Sequence, residues 1–444
     1  MTSRRSALSL LAGAGAALAV GAPSAHARAA RPRPFGRHGS PARRLDARTL
    51  YVDPHGRGDH TDVRSALDAA TGSGRTLVIA PGTYRGPVTV PADRAGLTLI
   101  GASGDARDTV LVHDNAAGTP KPDGSGTLGT SGSATVTVQA AGLTVRDVTF
   151  SNDWLRSDNP EYTGTQAVAI KVQGDRSAFY GCRFLGHQDT LYADSLSLTA
   201  FARQYYRDCY VEGDVDFVFG RATAVYDRCH FRTLTRTDLA SAPYGFVFAP
   251  STAGANPHGF LVLRSRVTST APDAYYKLAR PWVPSSDLTA HPMLTVRDTY
   301  LGPGIDAVTP YADMSADFPW QEQRFAEHRN TGPGARVTAP ADRPQLSASE
   351  ARAHTPAGWA GGLAPVGAGP RAVPGSGGHR VRGSVRRAAA PEPLPLTHSR
   401  VPPGASARTR AGHDGTGGAP RACSESPACP APPSGRTALL TKKP

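Results

Sequence analysis

Two short stretches of this sequence put carboxylates where carboxylates are expensive. GHQDTLYA (186–193) sets Gln188 and Asp189 ahead of a Thr-Leu-Tyr run, and GDVDFVFG (213–220) sets Asp216 among Val215, Phe217, Val218 and Phe219. An acid in apolar surroundings costs free energy unless it is paired or used. Asp189 follows Cys182 by seven residues, Asp216 follows Cys209 by seven, and each pair is separated by 27. If the chain repeats in that phase, the two acids emerge from neighbouring strands ~4.8 Å apart. Carboxylates that close resist simultaneous ionisation, so one should keep a proton near neutrality. A protonated acid beside an ionised one can serve as an acid/base pair or an acid/nucleophile pair. An Asp capping a turn at a corner is the structural alternative, and spacing alone leaves it open.

The elements that would position these acids repeat imperfectly. LTVRDVTF (143–150), AFYGCRF (178–184), YYRDCYV (205–211), VYDRCHF (225–231), LVLRSRV (261–267) and LTVRDTYL (294–301) read as short strands. They align on Val148, Cys182, Cys209, Cys229, Ser265 and Thr299, with gaps of 34, 27, 20, 36 and 34. Such strands, without helices long enough for crossovers between them, predict an all-β parallel β-helix built of single coils. A β-sandwich also has recurring strands, but here the repeats share sequence as well as spacing. The stretch Asp62–Ala70 (DVRSALDAA) predicts a short helix capping the solenoid's N-terminal end. Cys182, Cys209 and Cys229 share one phase and should stack as buried thiols on successive coils, although the spacing is within disulfide reach.

Composition bounds the rest. The chain has 444 residues and a formal charge of +13, but the excess is terminal. Residues 1–47 carry +7 and residues 366–444 carry +9, which leaves −3 for residues 48–365. The central region therefore gives no electrostatic argument for a nucleic-acid partner. Arg4 and Arg5, the apolar run 7–20 and Ala25-His26-Ala27 read as an export signal over residues 1–27, by either the twin-arginine or the general secretory route. That run is too short to span a membrane. Residues 28–47 read as a Pro/Arg-rich linker, 48–365 as the folded domain, and 366–444, which lack Phe, Trp and Tyr, as a disordered basic tail. The five cysteines and fourteen histidines form no CxxC, HxH or HExxH pairing, so no metal site is expected.

The two acidic stretches also carry a resemblance. Gly186–Tyr192 resembles the GxQDTLY motif of pectin methylesterases, and Gly213–Gly220 resembles their GTVDFIFG motif. Leu278-Ala279-Arg280-Pro281-Trp282 is similar to LGRPW, Gln166–Ala169 to QAVA, and Gly82-Thr83-Tyr84 to the start of GxYxE. All five motifs occur in the family's order, and the likeness runs from about Leu50 to Trp359. The resemblance implies a right-handed parallel β-helix that hydrolyses methyl esters of galacturonate in pectin, an exported monomer that needs no cofactor. It implies Asp216 as nucleophile and Asp189 as the acid that then becomes the base. Gln188 and Gln166 would be oxyanion donors, Arg280 the cation that holds Asp216, and Trp282 and Tyr192 the substrate-binding aromatics. Each residue also has a plainer reading: corner amides for the glutamines, a surface ion pair for Arg280, core for Trp282.

This sequence departs from the pattern in places. Gly86 stands where the family has Glu, Ala279 stands for Gly, and Asp214 replaces the Thr before VDF. In a strand, Asp214 would share a face with Asp216 and raise the pair's affinity for protons. Other functions on this fold are a polygalacturonase-like hydrolase, a Ca²⁺-dependent lyase or a non-catalytic carbohydrate-binding solenoid. The NTD and GHG motifs of the first are absent, no convincing acid cluster for Ca²⁺ is present, and glutamine donors suit an oxyanion better than an oxocarbenium ion.

Overall fold

The computed structural model describes residues 47–284 and 287–361. The export signal, nearly all of the linker and the basic tail expected from the sequence lie outside the described residues. Three parallel sheets of ten, eight and seven strands run along the molecule. Each full coil contributes one strand to each, in that order. One coil runs through Ser177–Tyr180, Arg183–Leu185 and Leu191–Ala193; the next runs through Arg203–Arg207, Tyr210–Gly213 and Val218–Gly220. This is the right-handed parallel β-helix expected from the sequence. The helix Val63–Ala69 sits at the N-terminal end, where the Asp62 side chain caps it by accepting from the Ser65 amide at 2.8 Å.

One sequence reading needs correction. The repeated segments are not single strands: each is a corner between the ten- and eight-stranded sheets. The chain turns at Asp147, Gly181, Asp208, Arg228, Arg264 and Asp298, all with φ between 49° and 62°. The next residue points inward: Val148, Cys182, Cys209, Cys229, Ser265 and Thr299 are all buried. Backbone amides at this corner turn to side chains of the following coil. Cys229 donates to Ser265 Oγ at 3.0 Å, Ser265 to Thr299 Oγ1 at 3.2 Å, and Thr299 to Asn330 Oδ1 at 3.1 Å. A buried amide left unpaired would cost more than a weak bond gains. That is why small polar or thiol side chains recur there. The three cysteines are free and buried, and burial pushes the Cys182 and Cys209 thiols well up.

Aromatic rings stack up the interior. Phe179, Tyr206 and Tyr226 lie on successive coils with centroids 4.9 Å apart, which matches the inter-strand spacing. These stacks fix the register of the coils, and the register places the acids.

Candidate active site

Asp189 and Asp216 lie at the corner that leads into the seven-stranded sheet. Leu191 pairs with Val218 and Tyr192 with Phe219, so a shift of 27 puts Asp189 beside Asp216. The Asp189 amide donates to the Val215 carbonyl at 3.0 Å. Both acids have left-handed backbones, φ 65° and 49°, a conformation that Asp tolerates better than most residues. It turns each side chain out of the strand at the start of a rung.

Arg280, just after strand Tyr276–Ala279, grips Asp216. Its Nε donates to Oδ1 at 2.9 Å and to Oδ2 at 3.2 Å, and Nη2 also reaches Oδ2. The guanidinium rests 4.2 Å above the Phe246 ring, so it is anchored on both sides. Burial holds the Asp216 carboxyl above its ordinary value, and Arg280's hydrogen bonds and charge limit that rise. Asp189 has no such partner. Burial, and then the charge of Asp216, push it well above the ordinary carboxylate range. The arrangement therefore favours the charge on Asp216 and the proton on Asp189.

The glutamines flank this pair. Gln188 Oε1 accepts from Thr165 Oγ1 at 2.6 Å and from Arg156 Nη2 at 3.4 Å. Its oxygen is thereby fixed, and its amide nitrogen has no partner among the described residues. The Gln166 side chain likewise makes no hydrogen bond among the described residues, while its backbone carbonyl accepts from Ala117 at 2.7 Å. The half-buried Trp282 ring meets Phe219 and Tyr192 edge-on at 5.4 and 5.9 Å, over a Tyr192–Phe219 stack at 4.2 Å. Tyr192 itself is 4% exposed. It supports the cleft floor from beneath rather than presenting a face of its own.

Asp214 corrects a second expectation. It lies in a bend, not in a strand, and alternation does not apply to it. Its buried carboxylate takes two bonds from Arg156, at 2.6 and 2.9 Å, and faces His187 Nδ1 at 3.3 Å. Burial alone would raise it; the hydrogen bonds and charges of His187 and Arg156 hold it well below the usual range. Its charge still raises both Asp189 and Asp216, while Arg156 opposes it at Asp189. Arg156 and Thr165 escaped sequence reasoning. The one available signal was Asp214, an acid that had to find a cation, and nothing in the spacing pointed 58 residues upstream to Arg156. Among the described residues no cluster of His, Cys, Asp and Glu could hold a metal ion.

A family model described as Pectinesterase matches residues 49–362. A pectinesterase of Ralstonia solanacearum is 32% identical over 319 residues, covering 64% of this chain and 79% of that protein. Pectinesterase 31 of Arabidopsis thaliana is 36% identical over 244 residues, covering 53% of this chain and 70% of that protein. The structure of pectin methylesterase PemA from Erwinia chrysanthemi superposes with a TM-score of 0.62 at 28% identity, covering 70% of this chain and 96% of that one.

Proposed function

The chain belongs to the pectinesterase family, and from that membership we infer that it hydrolyses methyl esters of galacturonate units in pectin, releasing methanol. A similar pectin methylesterase has been solved in complex with a hexasaccharide, which supports a polysaccharide in the same cleft. The observation that carries the reading is the pair of acids on adjacent rungs with Arg280 on only one of them.

The chemistry follows from the protonation pattern. An Asp216 oxygen attacks the ester carbonyl carbon, and the carbonyl electrons move to oxygen. The free amide groups of Gln188 and Gln166 donate to that oxyanion; one such donor typically contributes ~2.7–4 kcal/mol. The intermediate collapses, the bond to the methoxy oxygen breaks, and Asp189 gives its proton to form methanol. Asp216 is left joined to the sugar as a mixed anhydride. Asp189, now a carboxylate, takes a proton from water as that water attacks the sugar carbonyl. Collapse frees the Asp216 carboxylate and the sugar's carboxylic acid, which loses its proton to solvent as galacturonate, and Asp189 holds a proton again. No external oxidant, metal or cofactor enters the balance. Trp282 supplies a flat surface for a sugar ring. Arg156 is a positioning residue: it neutralises Asp214 and turns the Gln188 amide nitrogen toward the ester.

The same reading carries export and a monomeric state. Among the described residues no helix is long and apolar enough to cross a membrane. Methanol release from highly methylated pectin tests the function. The wild-type chain should release it with no new reducing ends and no unsaturated product; chain cleavage without methanol would replace this reading with a hydrolase or lyase.

A further inference from the structure

A second groove lies on the coils that carry the catalytic acids, one sheet upstream of them. It encloses about 780 Å³ at the corner between the ten- and eight-stranded sheets, a size that suits an oligomeric ligand segment. Its floor is an outward row of the eight-stranded sheet: Arg183, Tyr210, His230 and Arg266 pair rung by rung. The neighbouring residues Phe184, Val211, Phe231 and Val267 point into the core, so this row faces out.

The groove is cationic beyond what its own acids offset. Arg107, Arg183, Arg228, Arg232, Arg264 and Arg266 line it, against Asp105, Asp147 and Asp208. Asp105 pairs with Arg107 and Asp208 with Arg228, and Arg264 pairs with Asp227. Arg183 lies 5.5 Å over the Tyr210 ring and its charge also acts on Asp105; Arg266 donates to His230 Nδ1 at 3.1 Å and makes no ion pair among the described residues. Arg232 stands opposite Glu212 across the strands without an ion pair. Burial, then Arg266 and Arg232, depress His230 to about 4, so it stays neutral and leaves its ring beside the cations. This contrasts with the −3 carried by residues 48–365 as a whole.

We propose that this groove binds de-esterified polyuronate, the anionic product of the cleft, as a site separate from catalysis. The inference rests on the pectin reading of the active site. Arginine forks suit carboxylates. Arg183 precedes Asp189 by six residues, and Tyr210 precedes Asp216 by six. The two sites are therefore no more than about 20 Å apart along the chain. One polymer can hold a demethylated run in the groove while its methylated part sits over Asp216. The preferred substrate is then partly de-esterified pectin.

The test is calorimetric binding of a fully de-esterified oligogalacturonate to the full chain at low salt. With Arg183→Ala and Arg266→Ala together, the Kd for that probe should weaken about five- to ten-fold, the scale of two exposed cation–carboxylate contacts. The Lys pair at the same positions should fall between wild type and the Ala pair, keeping the charge but losing the fork. Turnover of a short, fully methylated oligomer should not change. An unchanged Kd in the Ala pair overturns the proposal. So does equal binding, and equal loss, of an inorganic polyphosphate, which would make the groove a general anion patch. Methanol release is read separately, so failure of the esterase reading is visible apart from failure of the groove.

Discussion

Two aspartates on one coil share a turn and a clamp but not their surroundings. Asp208 and Asp216 have nearly the same backbone, φ 54° and 49°, and each is held bidentately by an arginine from a later coil, Arg228 or Arg280. Asp208 sits at an exposed corner, and Arg228's hydrogen bonds lower its pKa. Asp216 sits in a cleft, where burial raises it against Arg280 and where a second acid stands on the neighbouring rung. Neither the left-handed turn nor the arginine clamp distinguishes the two. Desolvation and the adjacent Asp189 do. The same device closes a corner in one place and, in the other, sits beside a second buried acid.

The largest test of that contrast is to remove each charge in turn. Asp216→Asn should lower kcat by about 10⁴-fold or more, the scale of a lost nucleophile. Asp208→Asn should leave kcat unchanged and shift stability by less than about 1 kcal/mol, as exposed pairs do. Steady-state methanol release and chemical denaturation read both, and comparable kcat losses would erase the distinction. Next in size is the buried pair behind the site. Arg156→Met strands the Asp214 carboxylate and should cost about 3–5 kcal/mol of stability. Adding Asp214→Thr should recover most of that stability without restoring kcat, because Gln188 stays unanchored; a full return of kcat would show that Arg156 only stabilises the fold. Gln188→Ala itself should lower kcat by about 10²–10³-fold with little change in KM.

Smaller effects sharpen the electrostatics. Asp189 must be protonated to donate to methanol and Asp216 must be ionised to attack. The rate therefore falls as pH rises through the raised Asp189 value, and falls as pH drops through that of Asp216. Asp214→Thr removes an anion that raises Asp189 and leaves Arg156's cation in place. The alkaline limb of kcat/KM should move to lower pH; an unmoved limb removes Asp214 from the account. The smallest effect belongs to the structural corner. Ser265→Ala takes an acceptor from the Cys229 amide and should cost about 1–3 kcal/mol with the pH profile unchanged.

Much of this was legible because a solenoid writes its geometry as a repeat. The phase of Cys182, Cys209 and Cys229 gives the coils, and the interval of 27 puts Asp189 beside Asp216. The corner inside each repeat was not legible. Asp and Arg at the turning position are poor signals for a left-handed residue, and β-branched neighbours on either side hide the break. Asp214 was misplaced for the same reason: strand alternation was assumed across a bend. Arg156 could not be read at all, since its partners Asp214 and Gln188 are joined to it by coiling and not by sequence interval. The cationic groove was hidden too, because its arginines are spread over four coils in a region of net negative charge.

The central claim is that burial and a neighbouring charge keep Asp189 protonated while Asp216 is ionised. Carboxyl-carbon NMR of chain labelled at aspartate, titrated through neutral pH, reads this directly. One resonance should remain protonated well above the ordinary aspartate value of ~3.9. That resonance should vanish in Asp189→Asn and titrate at lower pH in Asp216→Asn. Two carboxyls that both ionise near the ordinary value, each indifferent to loss of the other, would contradict it.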